Sequence, residues 1–142
     1  MKKRLNTGVV LACLFYLAPA SALEIWHSNT VWANQGMCSA TFTLDSGMEE
    51  IGPLEIGVEL VNAKGVVIAT DTLSVEAFGD SEATRYQTTW LEGEAVCEDD
   101  LSVRFTSLAQ VAGQQKQPLP LSDLQIRDFK PFRLVNPQAD RP

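Results

Sequence analysis

Residues 38–45 alternate without a break, with Cys38, Ala40, Phe42 and Leu44 on one side and Ser39, Thr41, Thr43 and Asp45 on the other. A period of two with a single apolar face is that of a strand resting one side on a core and turning the other to water. Leu54, Ile56, Val58 and Leu60 repeat the pattern against Glu55, Gly57 and Glu59. Leu101, Val103 and Phe105 repeat it against Ser102, Arg104 and Thr106. Weaker runs occupy 24–32, 66–78, 84–91 and 124–134, and 66–78 is long enough to be two strands with a bend near 70–72. No window sustains a 3.6-residue period, and there is neither an internal repeat nor a low-complexity stretch.

The punctuation agrees with strands. Asn62-Ala63-Lys64-Gly65 separates two apolar runs as a hairpin turn does, and Gly79-Asp80-Ser81 and Glu92-Gly93 are further turn signals. Pro118 and Pro120 precede the last run, where proline suits an edge strand or a kinked entry. Residues 136–142 read as a frayed tail. Seven to eight short strands spaced about ten residues apart predict an all-β, antiparallel β-sandwich of the fibronectin type III or immunoglobulin-like kind.

The N-terminus sets the compartment. Lys2, Lys3 and Arg4 are followed by an uncharged apolar stretch over 8–18 and by Ala20-Ser21-Ala22. A basic head, a short apolar middle and an A-x-A end make a secretory signal peptide, cleaved between Ala22 and Leu23. The apolar stretch, at 11 residues, is too short to span a bilayer. Val10-Leu11-Ala12-Cys13 loosely matches a lipoprotein box, but the apolar segment before Cys13 is short and continues past it to Ala18. The chain therefore divides into a signal peptide, 1–22, and one domain, 23–142, that is exported to the periplasm, the cell surface or the medium, with no membrane insertion of the mature chain.

Cys13 leaves with the signal, so Cys38 and Cys97 remain as an even pair bound for an oxidising compartment, where a disulfide is the default. Their spacing is unlike a redox C-x-x-C, and two Cys with one His are too few for a closed zinc site. Cys38 is in phase with the buried face of its run, and Cys97 is in phase with Leu101, Val103 and Phe105. The reading is a bond from the second to the sixth strand across two sheets, as in immunoglobulin domains. Two features of that family are missing: no Trp lies in 54–62, and Ala95 stands where a corner Tyr belongs. The architecture is thus nearer to fibronectin type III.

Charge is divided along the chain. Residues 23–100 hold 15 acidic and 2 basic side chains, whereas 101–142 hold 3 and 6. An acidic body argues against nucleic acid as a partner. It predicts that the basic last segment lies across the acidic body, with Arg127, Lys130 and Arg133 against Glu55, Glu59 or the Glu98-Asp99-Asp100 loop.

Chemistry is sparse. Any imidazole-dependent site must use His27, which has no nucleophile motif near it. Glu49-Glu50 and Glu98-Asp99-Asp100 read as solvated loop acids, without the alternating spacing of a calcium loop. No phosphate-cradling glycine loop is present. The reading is a non-enzyme with no catalytic residues, cofactor or metal. The aromatic residues are the more useful clue. In regular strands Trp26 and Trp32 share a face, and Tyr86 and Trp90 share a face with Thr84 and Thr88. Such rings either pack the core of a small sandwich or stay exposed for protein binding, where Trp and Tyr are enriched.

The signal region MKKRLNTGVVLACLFYLAPASA, the stretch LEIWHSNTVWANQGMCSATFTL and the closing LQIRDFKPFRLVNP together resemble the family of interleukin receptor mimic protein A (IrmA), small exported enterobacterial proteins. The resemblance implies a fibronectin type III-like sandwich, a homodimer formed by strand exchange, likeness to cytokine-receptor ectodomains, binding of host interleukins and a role in virulence. It brings no catalytic residues. The W-S-x-W-S box of cytokine receptors is missing, with His27-Ser28-Asn29-Thr30-Val31 lying between Trp26 and Trp32. The alternative is a fimbria-like or surface-assembly subunit completed by a donor strand, a role for which 24–32 alternates poorly.

Overall fold

The computed structural model describes residues 23–127. The signal segment with its Ala22 cleavage residue, and Lys130 and Arg133, lie outside that range. Eight strands follow one another: β1 (Leu23–Asn34), β2 (Met37–Asp45), β3 (Leu54–Val61), β4 (Val67–Val75), β5 (Tyr86–Gly93), β6 (Ser102–Ala112), β7 (Gln115–Leu119) and β8 (Leu124–Ile126). They form two sheets, ordered β5-β2-β1-β8 and β4-β3-β6-β7. Every pairing is antiparallel except that of β8 with β1, which is parallel. In the constant immunoglobulin arrangement the fourth strand joins the sheet of the first, second and fifth. Here β4 pairs with β3 instead, which places the sandwich on the fibronectin type III side, as the missing tryptophan and tyrosine predict.

The alternating runs do what their pattern requires. Along β3, Leu54, Ile56, Val58 and Leu60 are buried and the residues between them are half-buried. Phe42 and Leu44 of β2 meet them in one apolar layer with Ile25, Leu73, Leu91 and Leu101, all fully buried. The β3–β4 turn is closed by Asn62, whose side-chain Oδ1 accepts from the amides of Lys64 and Val66 at 2.9 and 3.0 Å. Gly65 follows at φ 79°, a conformation that glycine adopts without steric cost. The long run 66–78 is one strand rather than two, because its exposed middle, Thr70 to Thr72, lies on a sheet edge and stays in register with Glu59, Val58 and Gly57 of β3. Phe78 pairs separately, in an isolated bridge to Ile51.

Two irregularities change the phase. In β1 the register shifts between His27 and Asn29, so Ser28 is bulged. Leu23 and Ile25 point inward before the bulge, whereas Thr30 and Trp32 point inward after it. Trp26 and Trp32 therefore do not share a face, as an unbroken strand would require, because one inserted residue flips every side chain beyond it. In β6, Thr106 is the extra residue, and the buried phase passes from Phe105 to Leu108. Strand β7, of sequence Gln-Lys-Gln-Pro-Leu, has no apolar alternation to announce it in the sequence. It is an exposed edge strand held by its ladder to β6, which is where Pro118 is tolerated.

Cys38 and Cys97 are bonded, with Cα atoms 5.2 Å apart. Cys97, however, is not on the sixth strand. It ends the 3-10 turn Ala95–Cys97 that precedes β6, with the exposed Glu98, Asp99 and Asp100 between turn and strand. The shared odd numbering of Cys97 and Leu101 is thus a coincidence of phase. The 3-10 turn sets Val96 into the core and brings Cys97 to Cys38.

Among the described residues the basic segment does lie across the acidic body, and Glu55 and Glu59 are engaged, but Arg127, the one predicted cation described, goes to a different partner. Lys116 meets Glu55 at 2.7 Å, Arg104 meets Glu59 at 2.8 Å and Arg127 meets Glu24 at 2.6 Å. Arg127 follows β8, which adds to β1, so Glu24 is beside it while Glu55 and Glu59 belong to the opposite sheet.

Candidate functional site

The outer face of the β5-β2-β1-β8 sheet is built by the residues opposite the buried phase. Register sets Tyr86 across from Asp45, Thr88 across from Thr43 and Trp90 across from Thr41 on β2, and Thr43 in turn across from Trp26 on β1. Directly opposed residues of an antiparallel pair point to the same side. Trp26, Tyr86 and Trp90 therefore stand on one hydroxyl-lined surface, with the Ser28 and Thr43 hydroxyls 2.5 Å apart between them. Trp90 is 55% exposed and Tyr86 is 46% exposed. The core-packing reading thus fails for these two rings. It holds for Trp32, which packs partly buried against the core beside Cys38.

Cations flank two of the three rings. The Arg85 guanidinium lies 5.1 Å from the Tyr86 centroid, and that of Arg127 lies 5.2 Å from the Trp26 ring. Arg85 donates from Nε and Nη2 to the two carboxylate oxygens of Asp45, both at 2.8 Å, a bidentate clamp from β2 to the start of β5. The Arg85 guanidinium holds the Asp45 carboxyl below the usual carboxylate range, and Asp45 in turn raises Arg85. This clamp fixes Tyr86 at the corner of the face.

Beside Trp90, where the edges of the two sheets come together, a cleft of about 770 Å³ opens between β4 and β5. Its walls are tied by side chains of β5 that donate to backbone carbonyls on or just past β4: Thr89 Oγ1 to Ser74 at 2.9 Å and Gln87 Nε2 to Ala77 at 2.7 Å. Pro53, Val75, Ala77 and Val111 line it with Glu55, Glu76 and Trp90. Sequence reasoning did not single out this cleft. Its residues come from several separate segments, and no local pattern links them.

His27 is half-buried and built into the β1 bulge, where its Nε2 lies 2.6 Å from the Thr30 hydroxyl. Its ring packs at 5.7 Å from that of Phe42. Burial holds the imidazole below its ordinary pKa, against a weaker opposing backbone bond to Asn29. The role these contacts describe is closure of the bulge. Glu49, Glu50, Glu98, Asp99 and Asp100 are exposed. Among the described residues no group of three or more His, Cys, Asp and Glu is placed to hold a metal ion. Among them no helix is long and apolar enough to cross a membrane.

No curated protein matches the chain. A solved structure described as the structural characterisation of IrmA from Escherichia coli is similar to it, at 30% sequence identity and a TM-score of 0.68. The match covers 80% of this chain and 97% of that one. The model of one family, interleukin receptor mimic protein A, matches residues 23–127, the whole of the sandwich described above. A two-sheet fold with an exposed aromatic face, a structural relative at 30% identity and a family match spanning the domain lead to one conclusion: the chain belongs to the interleukin receptor mimic protein A (IrmA) family.

Proposed function

We propose that the chain is an exported, non-enzymatic binding module that engages host secreted proteins, interleukins by its family, through the outer face of the β5-β2-β1-β8 sheet. The observation that carries this reading is the solvent exposure of Trp90 and Tyr86 beside Trp26 on one sheet face. Large aromatic residues left in water are what protein interfaces bury at their centres. The family's description as a receptor mimic supports the choice of partner. The disulfide supports export, and so does a family match that begins at Leu23, the residue that signal cleavage would make the first. Trp32, withdrawn to the core, drops out of the binding set.

The dimer belongs to the same proposal. Strand β8 adds to the edge of β1 through only three paired residues, at the end of a connection that crosses from one sheet to the other. An edge strand on a crossing connection is a suitable element for exchange between two copies. A donor-strand assembly subunit is less well supported, because among the described residues each sheet has four strands and β1 is already paired with β2 along its length.

The test is capture of soluble human interleukins by the immobilised exported protein, read by surface plasmon resonance. The reading expects saturable binding of at least one interleukin, and at least tenfold weaker binding by the Trp90→Ala, Tyr86→Ala double variant. Absence of binding across the panel, or binding unaffected by the double variant, would overturn it.

A further inference from the structure

The geometry points to a specific use for the cleft beside Trp90: it is a subsite for a basic side chain, arginine or lysine, presented on an extended segment of the bound protein. This inference rests on the proposed reading of the chain as a protein-binding module and assigns a chemistry to one part of its surface. The cleft, at about 770 Å³, lies within the roughly 300–1,000 Å³ of ordinary ligand sites. Pro53, Val75, Ala77 and Val111 give its lining an apolar part that suits the alkyl stem of a long side chain.

Its charge has one sign. Among the described residues, Glu55 and Glu76 are in the lining and no basic residue is. Glu55 is engaged by Lys116 at 2.7 Å, whereas Glu76 is exposed and makes no ion pair among the described residues. The surrounding body, with 15 acids against 2 bases over residues 23–100, favours an incoming cation.

The aromatic residues make the same point by contrast. Tyr86 has Arg85 at 5.1 Å from its centroid, and Trp26 has Arg127 at 5.2 Å. Trp90, the most exposed of the three, has no cation over its ring among the described residues. A tryptophan face is the best of the aromatic partners for a guanidinium or ammonium group. Among the described residues, the lining of one cleft thus presents an uncovered ring and an unpaired carboxylate. The Thr89 and Gln87 hydrogen bonds hold β5 against the β4 side of the cleft.

The experiment titrates the exported protein, labelled with 15N, with two capped dipeptides, acetyl-Leu-Arg-amide and acetyl-Leu-citrulline-amide. Citrulline keeps the shape and the stem of arginine but carries no charge. The Trp90 indole N–H is assigned from Trp90→Phe. The inference expects a saturable shift of that resonance with the arginine peptide and about five- to tenfold weaker binding of the citrulline peptide. Glu76→Gln should weaken only the arginine peptide, by about two- to fivefold, and Trp90→Ala should abolish the preference between the two. Equal binding of both peptides, shifts confined to Trp26 or Trp32, or no saturable shift would overturn it. The interleukin assay separates the two claims. Capture that persists at full affinity in Trp90→Ala, Glu76→Gln removes the subsite and leaves a protein-binding module standing. Arginine selectivity without interleukin capture leaves the subsite and removes the choice of partner.

Discussion

Reducing the Cys38–Cys97 bond should cost this domain about 4 kcal/mol. The cysteines are 59 positions apart, so the bond closes a loop of 60 residues counting both ends. On the chain-entropy model a loop of that size lowers the entropy of the unfolded chain by about 14 cal/mol/K, equivalent to about 4 kcal/mol at 25 °C. Replacing both cysteines by alanine should cost about 1 kcal/mol more, because Cys38 is fully buried and its sulfur is removed from the core. The assay is urea unfolding of the oxidised, reduced and Cys38→Ala, Cys97→Ala proteins, followed by tryptophan fluorescence at one fixed protein concentration, since association would shift the midpoint. With a slope of about 1–2 kcal/mol/M, the reduced protein should unfold about 2–4 M earlier than the oxidised one. A stability of about 5–15 kcal/mol is typical, so the reduced protein should sit near the limit of folding at 37 °C. A reduced protein whose midpoint falls within about 0.5 M of the oxidised one would refute the reasoning. It would mean that the denatured chain is already constrained across these positions, or that the 3-10 turn holds without the bond.

Acid should destabilise the protein in two stages. Both Asp45 and His27 have folded pKa values below their unfolded ones, so each contributes stability above its unfolded pKa and loses it as pH falls through the folded one. Thermal midpoints should therefore begin to fall below about pH 6.5 and drop further below about pH 4; Asp45→Asn should flatten the second stage, and a second stage of unchanged slope in that variant would count against the Arg85 clamp. His27→Ala should remove the first stage and leave the proposed interleukin binding unchanged, as measured by the same capture assay. Trp90→Ala should change unfolding stability by no more than about 0.5 kcal/mol, whereas Phe42→Ala, at the fully buried centre of β2, should cost about 3–5 kcal/mol in urea titration. Raising salt from about 0.05 to 0.5 M shortens screening from about 14 to 4 Å, yet should raise dissociation of the proposed homodimer only modestly in sedimentation, because the ion pairs involving Arg104, Lys116 and Arg127 are exposed at their basic ends and exchanged strands would be held by apolar packing. Complete dissociation at high salt would replace strand exchange with electrostatic docking.

What the sequence determined alone is whatever depends on local periodicity. Phe42 and Leu44, Leu54 to Leu60 and the Asn62–Gly65 turn could be placed because each decision rests on residues one to four positions apart. The same reasoning brought out Cys38 with Cys97 and the shared face of Tyr86 and Trp90, which lie on an unbroken stretch of β5, but only the structure showed that this face is turned outward. Tertiary structure decided whatever depends on phase being interrupted or on an edge being shared. The bulge at Ser28 separates Trp26 from Trp32. The 3-10 turn lifts Cys97 off β6. The ladder to β6 makes a strand of Gln115–Leu119, which has no pattern of its own. Parallel addition of β8 to β1 gives Arg127 to Glu24. The cleft beside Trp90 exists only because β4 and β5, edges of different sheets, are brought side by side and tied by Thr89 and Gln87. A one-residue insertion leaves almost no trace in composition but reverses every side chain beyond it, and a shared edge has no sequence signature because its two strands are related only through the packed core.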